Sequence, residues 1–216
     1  MFKKCVAEFL GTFGMVFCGC GAMTINEVYP NSIGHIGVAI TWGLIVMSMI
    51  YAFGEISGAH LNPAVTIGFA VSKKFKLNKV GPYLLAQLAG ALFAIIILKF
   101  LFPESQFLGS TIPVENFNPI QTFIMEFLLT FLLMIVIINV STGSKEVGVM
   151  AGIAIGSVVL LEAMFAGPIT KASMNPFRSL APAIVANQTH QLWVYLLAPL
   201  SGAILAVFCN KFLRKK

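Results

Sequence analysis

Long apolar runs constrain this chain more than any other feature of its sequence. Uninterrupted runs of about 20 residues lie at 5–25, 35–53, 80–102, 119–140, 147–166 and 191–212. A helix of that length crosses ~30 Å of hydrocarbon, so each run predicts a membrane-spanning helix. Only 10% of the 216 residues are charged, whereas a soluble domain has about 25%. The sequence therefore predicts an all-α membrane protein with six spans in contact with lipid.

Basic residues mark one side of the predicted membrane protein. Eleven of the fourteen are Lys3, Lys4, Lys73, Lys74, Lys76, Lys79, Lys145, Lys211, Arg214, Lys215 and Lys216, at the termini or after the second and fourth runs. The alternate connections, 26–34 and 103–118, carry Glu27, Glu104 and Glu115 and no Lys or Arg. The positive-inside rule then places both termini in the cytoplasm. The net charge of +6 is explained by topology, and no nucleic-acid partner is expected.

The two halves of the chain repeat each other in order. The matching segments are 7–13 with 125–131, 37–40 with 152–155, 62–63 with 175–176, and 84–91 with 196–203. Chance similarity between apolar segments would not pair Glu8 with Glu126. Each repeat, approximately 1–102 and 119–216, contains three spans, so the second copy enters the membrane in the opposite direction. Inverted repeats of this kind place a site near the midplane of many transport proteins. We expect residues 1–216 to form one transmembrane domain.

Two further segments are too polar to span the membrane and too apolar to be ordinary loops. In each, an irregular stretch containing Gly, at 54–61 or 167–174, precedes Asn, Pro and an apolar run. Because Asn is a favoured N-cap and Pro a favoured first helical residue, helices are predicted to begin at Asn62 and Asn175. About eleven residues reach roughly 16 Å, which is half a membrane. The inverted repeat brings the two helix N-termini together near the midplane, where irregular backbone must be enclosed by protein or line a wet cavity.

The predicted meeting point of the half-helices has the chemistry of a pore for neutral solutes. Each Asn oxygen can cap its own helix, which leaves the amide NH₂ as a donor facing the lumen. With ~0.5 positive charge at each helix end, these donors repel cations and favour oxygen lone pairs. A water molecule held by both donors turns its hydrogens outward and interrupts a proton-conducting chain. The carbonyls of 54–61 and 167–174 are expected to act as acceptors along the vestibules.

The two Asn-Pro boxes, HLNPAVT at 60–66 and SMNPFRS at 173–179, resemble the paired Asn-Pro-Ala motifs of the aquaporin, or major intrinsic protein, superfamily. The segments WGLIVMSMIY from Trp42 and AGPITKASMNP from Ala166 are most similar to its nodulin-like branch. The resemblance covers essentially the whole chain. It implies an aquaporin-like fold of six spans and two re-entrant half-helices. It also implies a homotetramer in the plasma or inner membrane, with a pore in each subunit for water and small neutral solutes such as glycerol.

The resemblance assigns roles to named residues. The pore motifs are Asn62, Pro63, Ala64, Asn175, Pro176 and Phe177, where Phe177 replaces the usual Ala and the packing behind it must differ. The selectivity filter near the outer mouth is Trp42, Ala163, Ala172 and Arg178. Water-selective members carry His where this chain has Ala163, so a wider filter of the aquaglyceroporin type is expected. Arg178 is a functional candidate on physical grounds also, because a cation in the first turn of an intramembrane helix opposes the dipole.

Four carboxylates lie within or beside the apolar runs. The resemblance implies that Glu8 and Glu126 hold the irregular loops in place, with a proton relay as the alternative. Glu55 and Glu162 depart from the family pattern. Glu55, near the cytoplasmic entrance, either titrates and makes permeability pH-dependent or pairs with a nearby donor. Glu162, beside Ala163, either tunes the pore or pairs with such a donor.

The remaining polar, aromatic and small residues have structural interpretations. His60 is expected to pack within its own loop and His35 to lie near a span end. Tyr51, Tyr83, Trp193 and Tyr195 suit interface anchoring, and Gly90, Gly152, Gly156 and Gly202 suit helix contacts. The four cysteines lack the spacing of metal ligands and are expected to pack as small residues, so no metal or cofactor is predicted.

Several other functions are disfavoured by the sequence. It contains no nucleophile beside a base and no phosphate-binding loop, so an enzyme is not expected. An ion-coupled carrier remains an alternative to a passive channel, but it needs a midplane group for the coupling ion, and no carboxylate adjoins the Asn-Pro steps. A strictly water-selective channel is the other alternative, because Ser179 stands where glycerol facilitators usually have Asp.

Overall fold

The computed structural model describes residues 1–141 and 148–214. Its main helices are α1 Phe2–Val28, α2 Gly34–Ser57, α3 Pro63–Val71, α4 Val80–Leu101, α5 Pro119–Val140, α6 Ala151–Thr170, α7 Pro176–Val185 and α8 Leu192–Leu213. A short 3₁₀ turn, Leu77–Lys79, precedes α4. Lys145, Lys215 and Lys216, three of the basic residues that predict the orientation, lie outside the described residues.

Six of the helices in these two ranges are long and apolar enough to cross a membrane. They are α1, α2, α4, α5, α6 and α8, and each overlaps one of the predicted apolar runs. The shortest has 20 residues, which at ~1.5 Å per residue is about 30 Å. The predicted all-helical fold class is confirmed.

Two of the spanning helices are longer than the sequence predicted. α2 continues to Ser57 and α6 to Thr170, so the prediction of irregular backbone at 54–57 and 167–170 is wrong. α2 ends only where Gly58 adopts a left-handed φ of 91°, a conformation that Gly accepts without steric cost. The proline at position 168 deprives the Met164 carbonyl of its usual helical partner. The ring of His35 donates to that carbonyl from Nε2 instead.

The helices pack as two corresponding halves. α1 packs against α2 and α4, and α5 packs against α6 and α8. α2 and α6 join the halves, while α3 packs against α8 and α7 against α4. The closest approaches need glycine: a Cβ on Gly90 would lie 2.3 Å from the Phe9 carbonyl oxygen, and one on Gly202 would lie 2.3 Å from the Phe127 carbonyl oxygen. These glycines let the helix backbones touch.

The two short helices α3 and α7 begin inside this bundle. They have nine and ten residues, or roughly 14–15 Å each, which is half of a spanning length. The Asn62 side-chain oxygen accepts from the Ala64 N–H at 2.9 Å. The Asn175 oxygen accepts from the N–H groups of Phe177 and Arg178 at 3.1 and 3.3 Å. The two helices start at the residues that N-cap chemistry predicted, each with Pro in its first turn.

Candidate pore and selectivity filter

The N-termini of α3 and α7 contact each other through crossed hydrogen bonds. Asn62 Nδ2 donates to the Met174 carbonyl at 2.8 Å, and Asn175 Nδ2 donates to the Leu61 carbonyl at 3.0 Å. Each amide therefore bonds to the loop of the opposite repeat, which the sequence did not predict. An amide NH₂ carries two N–H groups. Within the part of the chain that the structure describes, the second N–H of each Asn has no partner and can donate to a molecule in the pore.

The loops before the two half-helices run through left-handed backbone. The φ angles are 44° at Ala59 and 51° at Leu61, and 43° at Ala172 and 53° at Met174. For a residue with a Cβ this conformation costs about 1–3 kcal/mol of conformational free energy, and it persists only where the surrounding structure determines it. Both loops therefore need a fixed scaffold.

Glu8 provides that scaffold for the first loop. Its buried carboxylate accepts four hydrogen bonds, from the His60 N–H at 2.9 Å, the Leu61 N–H at 2.8 Å, the Ser57 hydroxyl at 2.7 Å and the Gln87 amide at 2.8 Å. A carboxylate can be buried at this depth because its oxygens have donors. The bonds tie α1 to the end of α2, to the loop and to α4.

Glu126 does the same for the second loop. It accepts from the backbone N–H groups of Ser173 and Met174, each at 3.0 Å, and from the Thr170 hydroxyl at 2.7 Å. These contacts correspond to those of Glu8 in the other repeat. Because the oxygens of both carboxylates are occupied by loop donors, the geometry favours the loop-holding role over a proton relay.

Two tyrosines expected at the membrane interface lie in the core instead. Tyr83 and Tyr195 are both 0% exposed, so the interface prediction is wrong for them. Their hydroxyls donate to the carbonyls of Ser57 and Thr170, at 2.7 and 2.8 Å, at the ends of α2 and α6. A buried Tyr needs such a partner for its O–H. The sequence signal that could have found them is their equivalence, since each directly precedes a matching repeat segment.

Two cavities meet at the predicted filter. The first, of about 770 Å³, is lined by Asn62 and Asn175 and extends to Arg178 and Ala172. The second cavity, of about 560 Å³, is lined by Met23, Gly109 and Lys171. Among their lining residues the two cavities share Trp42 and Ala163. The four filter residues predicted from the resemblance therefore lie together, at the junction of the two cavities.

Arg178 is 1% exposed and is held by three contacts. One guanidinium nitrogen donates to the Gly109 carbonyl at 2.8 Å, and the other lies 3.0 Å from the Met23 sulfur. The guanidinium carbon stands 4.8 Å from the centre of the Trp42 ring, within cation–π distance. In residues 1–141 and 148–214 the other N–H groups of this rigid fork have no hydrogen-bond partner, so they are available to a solute. Gly109 and Met23 were not predicted, because neither residue type signals a filter.

A second cation lies near the filter, in the wall of the second cavity. Lys171 lines the second cavity and ends α6 with a left-handed φ of 69°. Burial, with the nearby Arg178 charge, lowers the pKa of the Lys171 ammonium from its usual value. Two positive groups at this end of the pathway oppose the entry of cations.

Comparison with known proteins identifies the family of the chain. The major intrinsic protein family matches residues 1–210. The chain belongs to the major intrinsic protein family. Nodulin-26 of Glycine max is 46% identical over 214 residues, which cover 98% of this chain and 78% of that protein. Aquaporin NIP1-1 of Oryza sativa subsp. japonica is 42% identical over 213 residues, which cover 98% and 74%.

The fold of this major intrinsic protein is also similar to that of a solved structure. The aquaglyceroporin from Plasmodium falciparum superimposes with a TM-score of 0.90 at 28% identity, covering 99% of this chain and 97% of that chain. The aquaporin-like fold and the similarity to the nodulin-like branch are confirmed. The protein is a multi-pass membrane channel for water and small solutes.

Three residues set this major intrinsic protein apart from the family pattern. Phe177 is half-buried against the core, so its ring is accommodated beside the second Asn-Pro step. Glu55 is exposed and lines the first cavity, and its pH role stays a prediction. Glu162 is 2% exposed, and neither of its oxygens has a hydrogen-bond partner among the described residues. The expectation that Glu162 pairs with a donor is wrong, since its face of α6 carries the buried apolar Val159 and Ala166.

Proposed function

We propose that this protein is a passive channel that conducts water and small uncharged solutes such as glycerol and excludes ions and protons. The proposal depends on one observation: among the described residues, one amide N–H of Asn62 and one of Asn175 have no hydrogen-bond partner, beside the cavity that the two residues line. A passing oxygen can accept from both amides while the two helix N-termini repel cations. The two donors also turn the hydrogens of a water molecule outward, which breaks a proton-conducting chain.

The composition of the filter supports a solute range wider than water. Ala163 and Ala172 leave space on two walls, while Trp42 offers an apolar face and Arg178 offers donors. A polyol needs both surfaces, because its carbons and its hydroxyls lie on opposite sides. Ser179, the residue that favours a strictly water-selective channel, is buried and its hydroxyl bonds to that of Ser173. It therefore has a structural role that does not depend on the solute.

The remaining features follow from the resemblance and the charge pattern. The proposed channel is a homotetramer in the plasma or inner membrane, with one pore in each subunit and both termini cytoplasmic. Residues 1–216 form one channel domain of two inverted repeats, and the protein performs no enzymatic reaction. Among the described residues, no carboxylate bonds to the amides of Asn62 and Asn175, so the midplane offers no ligand of that kind for a coupling ion, which favours a passive channel over a carrier.

The substitution Ala163→His tests the filter. The imidazole would occupy space that Ala163 leaves open where the two cavities meet, so glycerol permeability is expected to fall about tenfold, equal to ~1.4 kcal/mol in the barrier. Water permeability should change by about twofold or less, because water fits the smaller aperture. Light scattering of vesicles that contain the purified protein measures both rates, and urea, ammonia and boric acid complete the solute panel.

Ser157→His is the matched control, because Ser157 is exposed on α6 and away from the filter. Unchanged glycerol permeability in Ala163→His would overturn the assignment of Ala163 to the filter. Wild-type vesicles that pass water but no glycerol would support the strictly water-selective alternative. Solute flux that requires an ion gradient would support a carrier.

A further inference from the structure

We propose that Glu27 of α1 is a positioning residue for the selectivity filter, and that it acts on Arg178 through the connecting segment 103–109. The inference deepens the proposed function, because it names a residue outside the filter that sets which solutes pass. From the sequence alone, Glu27 was predicted only to be an acidic residue of the connection 26–34.

The Glu27 carboxylate orients four consecutive residues of that segment. One oxygen accepts from the N–H groups of Gln106 and Phe107 at 2.7 and 3.3 Å. The other accepts from the Ser105 hydroxyl at 2.8 Å, and the Ser105 oxygen accepts from the Leu108 N–H at 3.0 Å. A carboxylate suits this task because it offers acceptors only, in two directions. One side chain of α1 thus fixes the course of residues 105–108.

Lys99, near the end of α4, also bonds to this segment. Its ammonium donates to the carbonyls of Pro103 and Ser105 at 3.0 and 3.1 Å. Since α1 and α4 pack against each other, Glu27 and Lys99 fasten the segment to one rigid pair of helices.

The fastened segment ends at the acceptor of Arg178. Leu108 is fully buried, and Leu108 and Gly109 have left-handed φ angles of 49° and 75°. A Cβ on Gly109 would lie 2.8 Å from Cys20 Cβ, so only Gly fits against α1 at this point. The turn presents the Gly109 carbonyl to the Arg178 guanidinium at 2.8 Å.

One face of α1 serves this whole arrangement. Cys20, Met23 and Glu27 are spaced by three and four residues, which places them on the same side of the helix. Cys20 supports Gly109, Met23 contacts the guanidinium, and Glu27 holds the segment. Within residues 1–141 and 148–214, Arg178 forms no ion pair, so the charge-assisted bond to the Gly109 carbonyl is its main anchor. A displaced carbonyl therefore displaces the filter cation.

The test compares Glu27→Gln with Glu104→Gln, which removes the same charge from an exposed position in the same segment. Gln at position 27 can keep one acceptor oxygen for the Gln106 and Phe107 N–H groups, but it loses the negative charge and the acceptor that faces the Ser105 hydroxyl, so its hold on the segment weakens. The permeability of a four-carbon polyol relative to that of glycerol is expected to rise about threefold in Glu27→Gln, because the segment transmits to Arg178 only part of the energy of the weakened hydrogen bonds. No change is expected in Glu104→Gln. Ser105→Ala removes only the two bonds of the Ser105 hydroxyl, to Glu27 and from the Leu108 N–H. It should give a smaller rise in the same ratio, and it replaces Glu27→Gln in the test if that variant folds poorly.

A double-mutant comparison separates positioning from a general structural role. If Glu27 acts through Arg178, Glu27→Gln will not alter the polyol ratio further in an Arg178→Ala background. An equal rise in both backgrounds, or no rise in either Glu27→Gln or Ser105→Ala, would overturn the proposal.

A fluorescence readout separates this proposal from the proposed transport function. The chain has two Trp residues, so Trp193→Phe leaves Trp42, which contacts the guanidinium, as the sole reporter. Glu27→Gln is expected to shift Trp42 emission, Glu104→Gln is not, and Arg178→Ala should abolish the shift. If vesicles with the wild-type protein are not permeable to any of the solutes, the transport proposal fails, but these spectra still test the role of Glu27. An unshifted Trp42 emission in folded Glu27→Gln would contradict it.

Discussion

Truncating Glu126 to Ala is expected to reduce the water permeability of reconstituted vesicles to that of vesicles without protein. The substitution leaves two backbone N–H groups and the Thr170 hydroxyl without their acceptor. Each unsatisfied buried donor costs about 1–3 kcal/mol. Three of them approach the ~5–15 kcal/mol that typically stabilises a native protein. The strained loop before Asn175 would lose its scaffold, and with it the position of the second half-helix.

Two measurements and two further variants make this expectation specific. Light scattering reports the water permeability, and the thermal melting of the detergent-solubilised protein reports its stability. Glu126→Gln keeps the volume and one acceptor oxygen, so it should melt between Glu126→Ala and the wild type. Glu115→Ala removes an exposed carboxylate and should match the wild type in both measurements. Wild-type flux and melting temperature in Glu126→Ala would show that the carboxylate does not hold the loop.

Replacing Arg178 by Ala is expected to open the filter to cations. The guanidinium is buried at the junction of the two cavities, where it repels a passing cation. A unit charge about 5 Å away contributes about 3 kcal/mol at an effective dielectric constant of about 20. The leak of potassium ions from vesicles, followed with an ion-sensitive dye, should therefore rise about tenfold or more. The aperture also widens, so polyols larger than glycerol should pass faster.

Arg178→Lys separates the charge from the shape of the side chain. An ammonium keeps the positive charge but cannot bond to the Gly109 carbonyl and the Met23 sulfur as a planar fork does. This variant should still exclude potassium ions while its polyol selectivity relaxes. A potassium leak in Arg178→Ala no higher than in the wild type would rule out Arg178 as a cation barrier.

The spans and the half-helices could be predicted because their physical causes are local. A span needs a continuous apolar run, and the starts of α3 and α7 need an N-cap Asn followed by Pro, as at Asn62-Pro63. The pairing of the two half-helices also followed, because an odd number of spans per repeat imposes opposite directions. The crossed bonds between the Asn amides and the Leu61 and Met174 carbonyls did not follow, since backbone carbonyls leave no mark in a sequence.

The features that were missed depend on contacts between distant parts of the chain. Glu27 binds residues that are 78 to 80 positions away. Its identity alone could equally suggest a solvated connection. Tyr83 looks like an interface anchor until the end of α2 is known to present the Ser57 carbonyl to it. The helix ends at Ser57 and Thr170 were missed because a Gly-rich or Pro-containing stretch can continue a helix when tertiary contacts satisfy its backbone.

The most direct test of the mechanism measures water and proton permeability on the same vesicles of the wild-type protein. Light scattering gives the water rate at several temperatures, and a pH-sensitive dye inside the vesicles gives the proton rate after an external pH step. If the amides of Asn62 and Asn175 orient each passing water molecule, water permeability will rise with protein content and depend weakly on temperature, while proton permeability stays at the level of empty vesicles. A proton leak that rises in step with the water permeability would contradict the account.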